Sequence, residues 1–205
     1  ATVDTTGKVT GVSAGTATIS YAVTNASGCV TTVTKAVTVN ALPVVAAITG
    51  TATVCSGATT QLSDATTGGV WSSSNTAVAT VDTTGKVTGV SAGTSTITYS
   101  VTNANGCIMP VTQVVTVNAL PVVAAITGTA TVCSGATTQL SDATTGGVWS
   151  SSNTAVATVD TTGKVTGVSA GTATISYAVT NVNGCVTTVK QVVTVNALPV
   201  APTLG

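Results

Sequence analysis

The feature that most constrains this chain is that it repeats itself. The segment VDTTGKVTGVSAGT starts at Val3, Val81 and Val159, a period of 78 residues, and Cys29, Cys107 and Cys185 keep the same spacing. Residues 41–94 are identical to residues 119–172, and the copies diverge toward their C-terminal thirds, as in Ile108, Met109 and Pro110 against Val186, Thr187 and Thr188. A unit of this length is too long for one coil of a solenoid and suits one small all-β domain. The frame gives the C-terminal part of a repeat (strands D to G) at 1–40, complete repeats at 41–118 and 119–196, and a linker or start of the next repeat at 197–205. Each copy is a bead in a series.

Within a bead, turn residues punctuate short runs of Val and Thr, which is the pattern of a β-sandwich. Apolar residues make up 43% of the chain and none is Phe; most are Ala and Val, and together with the abundant Thr they suit strands better than helices. In the central bead the pattern predicts strand A over 44–54, B over 59–63, C over 69–73 with Trp71, and D and E as a hairpin around Asp82-Thr83-Thr84-Gly85. Strand F covers 96–103, where Ile97, Tyr99 and Val101 alternate with Thr98, Ser100 and Thr102, so one face is buried and the other wet. Strand G covers 111–117. Trp71, Tyr99, Trp149 and Tyr177 are expected in the cores. Ala-Leu-Pro at 41–43, 119–121 and 197–199 links the beads, because Pro stops strand G from simply running on.

Composition removes several functions. Five Lys balance five Asp, with no His, Arg or Glu, so nothing draws the chain to nucleic acid or anionic lipid. The longest apolar run, Ala41 to Ile48, has eight residues, against the roughly 20 that cross a bilayer as a helix; no membrane insertion is expected. Without His or Glu there is no Ser/His/Asp set and no ordinary general base, so the chain reads as no enzyme, with no catalytic residue and no cofactor. Asp64 and Asp82 could approach one another on loops near Asn103 and Asn105, but calcium takes about six to eight oxygens; these are read as turn residues and no metal site is assigned. Asp82-Thr83-Thr84, repeated at Asp4 and Asp160, resembles a short O-glycosylation acceptor motif of some bacterial secreted proteins, making Thr5, Thr83 and Thr161 candidates beside ordinary Asp-Thr turn chemistry. Asn25-Ala26-Ser27 fits an N-glycosylation pattern in one copy of three, which is read as coincidence. The chain opens without Met and shows no signal peptide, so it reads as a processed or excerpted piece of something longer.

The words Trp71-Ser-Ser-Ser-Asn75, Val78-Ala-Thr-Val81-Asp82, Gly85-Lys-Val87-Thr-Gly89 and Ala92-Gly93-Thr94, followed by Ile97, recur at Trp149 to Ile175, and their second half recurs at Val3 to Ile19. This series resembles the bacterial Ig-like domain of group 2 over nearly the whole chain. The resemblance implies an all-β chain of tandem immunoglobulin-like sandwiches arranged as an elongated rod. It further implies extracellular spacers or ligand-presenting modules of adhesins of the invasin and intimin type. The departure from the plain family pattern is a pair of cysteines per repeat.

Paired cysteines at fixed positions suggest disulfides in an oxidising, extracellular setting. Pairing within a bead would join Cys55 to Cys107 and Cys133 to Cys185, leaving Cys29 alone. In an Ig-type sandwich, however, the A-to-B turn carrying Cys55 and the F-to-G turn carrying Cys107 lie at opposite ends. Strand F alone spans roughly 26 Å, whereas bridged Cα atoms lie within about 7 Å. The end with the A-to-B turn faces the F-to-G end of the following bead. Both pairings stay open, with Cys55 to Cys185 narrowly favoured over Cys55 to Cys107. Cys29, Cys107 and Cys133 then pair with repeats outside this chain.

Three functions compete at this point. A structural segment of a surface fibre or adhesin stalk needs only length, and its partners are neighbouring repeats. A self-assembling filament subunit would be completed by strand addition from other copies of itself. A host- or glycan-binding adhesin module should vary in exposed loops, and the changes around 26, 27, 104 and 182 lend that reading weak support.

Overall fold

The computed structural model describes residues 1–200, and every regular element among them is a β-strand. The expected linker at 197–205 lies outside the described residues from position 201 on. The chain forms two compact units, Ala1–Val54 with Ala58–Thr116, and Cys55–Gly57 with the chain from Val117.

The first unit opens with β1 (Thr2–Val3) and β2 (Val9–Thr10), paired antiparallel across the Asp4 turn. Next come β3 (Gly15–Thr24) and β4 (Val30–Val39), in unbroken antiparallel register from Gly15↔Val39 to Thr24↔Val30. The central repeat then supplies β5 (Thr49–Gly50), β6 (Thr53–Cys55), β7 (Thr59–Ser63), β8 (Val70–Ser73), β9 (Ala79–Val81), β10 (Lys86–Gly89), β11 (Gly93–Thr102) and β12 (Ile108–Asn118). They form two four-stranded sheets in the orders β5-β7-β10-β9 and β6-β12-β11-β8. Alternation places the core: along β11, Ser95, Ile97, Tyr99 and Val101 are buried while their neighbours are not. Leu62, Ala79, Val87, Val115 and Val117 close the core from the other strands. Each buried Leu, Ile or Val side chain contributes about 1.5–3 kcal/mol.

The second unit repeats this arrangement with β13 (Thr127–Gly128), β14 (Thr131–Cys133), β15 (Thr137–Ser141), β16 (Val148–Ser151), β17 (Ala157–Val159), β18 (Lys164–Gly167), β19 (Gly171–Thr180) and β20 (Val186–Asn196). Its sheets run β13-β15-β18-β17 and β14-β20-β19-β16. Leu140, Val165, Ile175, Tyr177, Val193 and Val195 belong to its buried cluster, with Trp149 partly buried against it. The long β19–β20 hairpin is antiparallel, whereas β14 joins β20 in parallel, Thr131 opposite Thr194.

Strand A differs from the continuous run expected at 44–54. It divides into β5, which pairs with β7, and β6, which lies beside β12 in the other sheet. Gly50 makes the crossing possible: its φ is 114°, and a Cβ there would collide with the carbonyl oxygen of Gln61. Strand F begins earlier than expected, at Gly93, and strand G runs from Ile108 through Pro110. Pro110 is tolerated because β6 is three residues long and meets only the far end of β12, where Thr116 donates its N–H to Ala52 O.

Candidate functional site at the cysteine turns

The turn between strands F and G is built the same way in all three copies. In the last copy, the Asn181 N–H donates to Cys185 O at 3.0 Å, and the Gly184 N–H donates to Asn181 O at 3.0 Å. The Asn181 side-chain Oδ1 accepts from the backbone N–H groups of Asn183 and Cys185, each at 3.0 Å. Asn suits this position because its short amide reproduces the hydrogen bonds of a backbone turn. Gly184 holds a φ of 77°, which few other residues tolerate. The turns at Asn103 to Cys107 and Asn25 to Cys29 carry the same pair of side-chain bonds. Asn181 Nδ2 also donates to Ala119 O at 2.9 Å, and Asn103 Nδ2 to Ala41 O at 2.8 Å. The Asn103 and Asn181 turns are thereby tied to the Ala-Leu-Pro segments at the start of their own repeats. The recurrence of Asn four residues before each Cys was the available sequence signal for this device.

Cys185 is bonded to Cys55 in a disulfide with a Cα–Cα distance of 5.6 Å, closing a sequence separation of 130 residues. Cys185 is buried. The backbone beside its partner is fixed too, since the Ser56 N–H donates to Asn118 O at 2.9 Å. Cys29 and Cys133 are exposed and Cys107 is half-buried, all three as thiols. Cys107 precedes β12 and Cys55 lies by its far end, so the eleven residues of that strand, roughly 35 Å at 3.3 Å each, stand between them.

The remaining candidates sit elsewhere. In the Asp82 turn, Oδ1 accepts from the Thr84 hydroxyl at 2.7 Å, the Thr84 N–H at 2.8 Å and the Lys86 N–H at 3.1 Å. The hydroxyl bond first, and then the backbone donors, hold the Asp82 carboxyl below the ordinary aspartate value. Asp4 and Asp160 are lowered by the equivalent Thr6 and Thr162 contacts. The second Thr of each Asp-Thr-Thr is thus engaged, while Thr5, Thr83 and Thr161 are exposed beside it. Asp64 serves a separate turn, its Oδ1 accepting from the Thr66 N–H at 2.7 Å, and its Oδ2 is buried without a partner, as is that of Asp142. Among the described residues no group of three or more acidic, Cys or His side chains is placed to hold a metal ion.

Trp71 and Tyr99 pack in a tilted pair with ring centroids 4.6 Å apart and planes inclined by 43°, and Trp149 and Tyr177 do the same at 4.6 Å and 42°. The Tyr99 hydroxyl donates to Thr66 O and accepts from the Gly69 N–H, both at 2.8 Å. Each tyrosine therefore clamps the loop ahead of strand C, and the tryptophan is half-buried beside it.

The sequence pattern of the bacterial Ig-like domain, group 2, matches residues 33–106 and 110–193. The chain belongs to this family. The two group 2 matches lie across the two sandwiches described above. No curated protein sequence matches the chain significantly. Among solved structures, domains 4 and 5 of the S-layer protein SbsC are similar at 22% identity and a TM-score of 0.34, over 76% of this chain and 99% of that one. A C-terminal fragment of intimin, solved in complex with the intimin-binding domain of its translocated receptor, is similar at 17% identity and a TM-score of 0.36, over 75% of this chain and 65% of that one. A calcium-stabilised, ice-binding adhesin of an Antarctic bacterium is similar at 15% identity and a TM-score of 0.36, over 92% of this chain and 58% of that one.

Proposed function

We propose that this group 2 Ig-like chain is a non-catalytic structural segment of an extracellular bacterial surface fibre or adhesin stalk. The observation that carries the reading is the Cys55–Cys185 disulfide, which ties one sequence repeat to the next rather than closing a repeat on itself. Such bonds persist outside the reducing cytoplasm, and a crosslink between repeats serves a protein whose task is to hold an array together. Near-identical copies support the same reading, since length is the property that duplication changes. On this reading Cys133 and Cys107, the counterparts of Cys55 and Cys185 in the neighbouring copies, form equivalent bridges with further repeats. A glycan on Thr5, Thr83 and Thr161 would suit a surface position, since these residues stand exposed on rigid turns.

The test is surface labelling. Intact producing cells are treated with a membrane-impermeant amine reagent, for which Lys86 and Lys164 are exposed targets. Labelling of the chain before lysis is the expected result. Labelling only after lysis, or a chain recovered from cells with Cys55 and Cys185 as thiols, would overturn the proposal.

A further inference from the structure

We infer that the Cys55–Cys185 bridge is a mechanical shunt: tension along the chain passes from Cys55 through the two sulfurs to Cys185 and bypasses residues 56–184. The argument is one of connectivity. A covalent bond that holds two Cα atoms 5.6 Å apart fixes the end-to-end distance of everything between them, here a sequence separation of 130 residues. An extended chain covers at most about 3.3–3.6 Å per residue, so the enclosed segment would otherwise lengthen by roughly 430–470 Å.

The position of the bridge decides which elements are shielded. The enclosed segment holds β7 to β12 and β13 to β19, which include most of both sandwich cores. Leu62, Val87, Ile97, Leu140, Val165 and Ile175, all buried, lie inside it. The loaded path comprises β1 to β6 before the bridge and β20 after it. A force that peels β20 from β19 and β14 therefore cannot draw out the rest of the second sandwich. A bridge within one repeat, such as Cys55 to Cys107, would have shielded less than half as much chain. Joining successive repeats encloses more than a whole period in one bond.

The shunt is also redox-dependent. A small dithiol transfers two electrons and two protons to the bridge, leaving Cys55 and Cys185 as thiols and closing into its own cyclic disulfide. Once the bridge is reduced, the enclosed residues join the loaded path. The inference takes from the proposed function only the idea that the chain is pulled from its ends, and its test does not depend on where the protein resides.

The experiment is single-molecule stretching of the full chain, held at both termini through peptide tags that contain no cysteine. Without reductant the fully stretched length is expected to stop at roughly 250–270 Å. After addition of a dithiol it should reach roughly 680–740 Å. Cys55→Ser should give the longer length without reductant, and Cys133→Ser should keep the shorter one. Full extension of the unreduced wild-type chain, or equal lengths for wild type and Cys55→Ser, would overturn the inference.

Discussion

The β3–β4 hairpin and the β19–β20 hairpin carry nearly the same sequence and the same pairing, Gly15↔Val39 to Thr24↔Val30 in one and Gly171↔Val195 to Thr180↔Val186 in the other. Their surroundings differ completely. Tyr21 is 68% exposed and Tyr177 6%; Val23 is 51% exposed and Val179 8%. Around Gly163 the Trp149 ring packs close, whereas nothing lies near Gly7, and Val3 to Gly7 with Ile19 to Tyr21 line an open cleft instead. Turn chemistry and strand pairing are therefore local properties of this sequence, while burial belongs to the sandwich.

The largest effect that can sharpen the contrast is at the tyrosines. Tyr177→Ala removes a buried ring and leaves the Gly147 N–H and Thr144 O without their partner. It should cost about 3–5 kcal/mol in urea unfolding followed by Trp fluorescence. Tyr21→Ala should stay within about 0.5 kcal/mol, and equal losses at the two sites would break the comparison. Next come the cysteines. Cys185→Ser should lower stability by about 2–4 kcal/mol in the same assay, and Cys29→Ser should leave it unchanged.

The turns should respond alike where the tyrosines do not. Asn25→Ala and Asn181→Ala both remove the acceptor for the following Cys N–H at a cost of about 1 kcal/mol, with a further loss at Asn181 because its Nδ2 bond to Ala119 O goes too, and amide exchange at Cys29 and Cys185 should speed up together. The Asp4 and Asp160 carboxyls should both titrate below the ordinary aspartate value by carbon NMR. A depressed folded-state pKa gives stability that is present above the unfolded value and lost as pH falls through the folded one, so both turns should loosen only in acid. Ser95→Ala is the smallest case. Ser95 bonds Ser73 at 2.9 Å and Asn75 N at 3.1 Å, yet Ala173 occupies the same place in the second unit and Ser151 still donates to Ala157 O at 2.7 Å. Within about 0.5 kcal/mol is the expected change by urea unfolding.

Much of the fold was legible from the residues because its signals are short-range. Alternation along Ile97, Tyr99 and Val101 fixed a face, the Asp-Thr-Thr-Gly words fixed a turn, and the recurring words fixed the family. Strand A read as one piece because its apolar residues run on past Gly50; the change of sheet depends on which edges of β7 and β12 are open, which no local pattern encodes. Asn103 was legible as a turn residue, but its bonds to the Asn105 and Cys107 N–H groups and its Nδ2 bond to Ala41 O were not read; the last joins positions 62 residues apart, which no local pattern encodes.

By itself, the sequence determined the strand alphabet, the repeat, the turns and a charge inventory of Asp and Lys without His, Glu or Arg, since each depends on residue identity or on neighbours a few positions apart. Only the tertiary structure decided that β5 and β6 part company, that Tyr99 and Tyr177 are sealed while Tyr21 is wet, and that Cys55 closes on Cys185. These depend on distances between residues far apart in the chain, and for the cysteines on the eleven-residue length of β12, which keeps Cys107 away from Cys55.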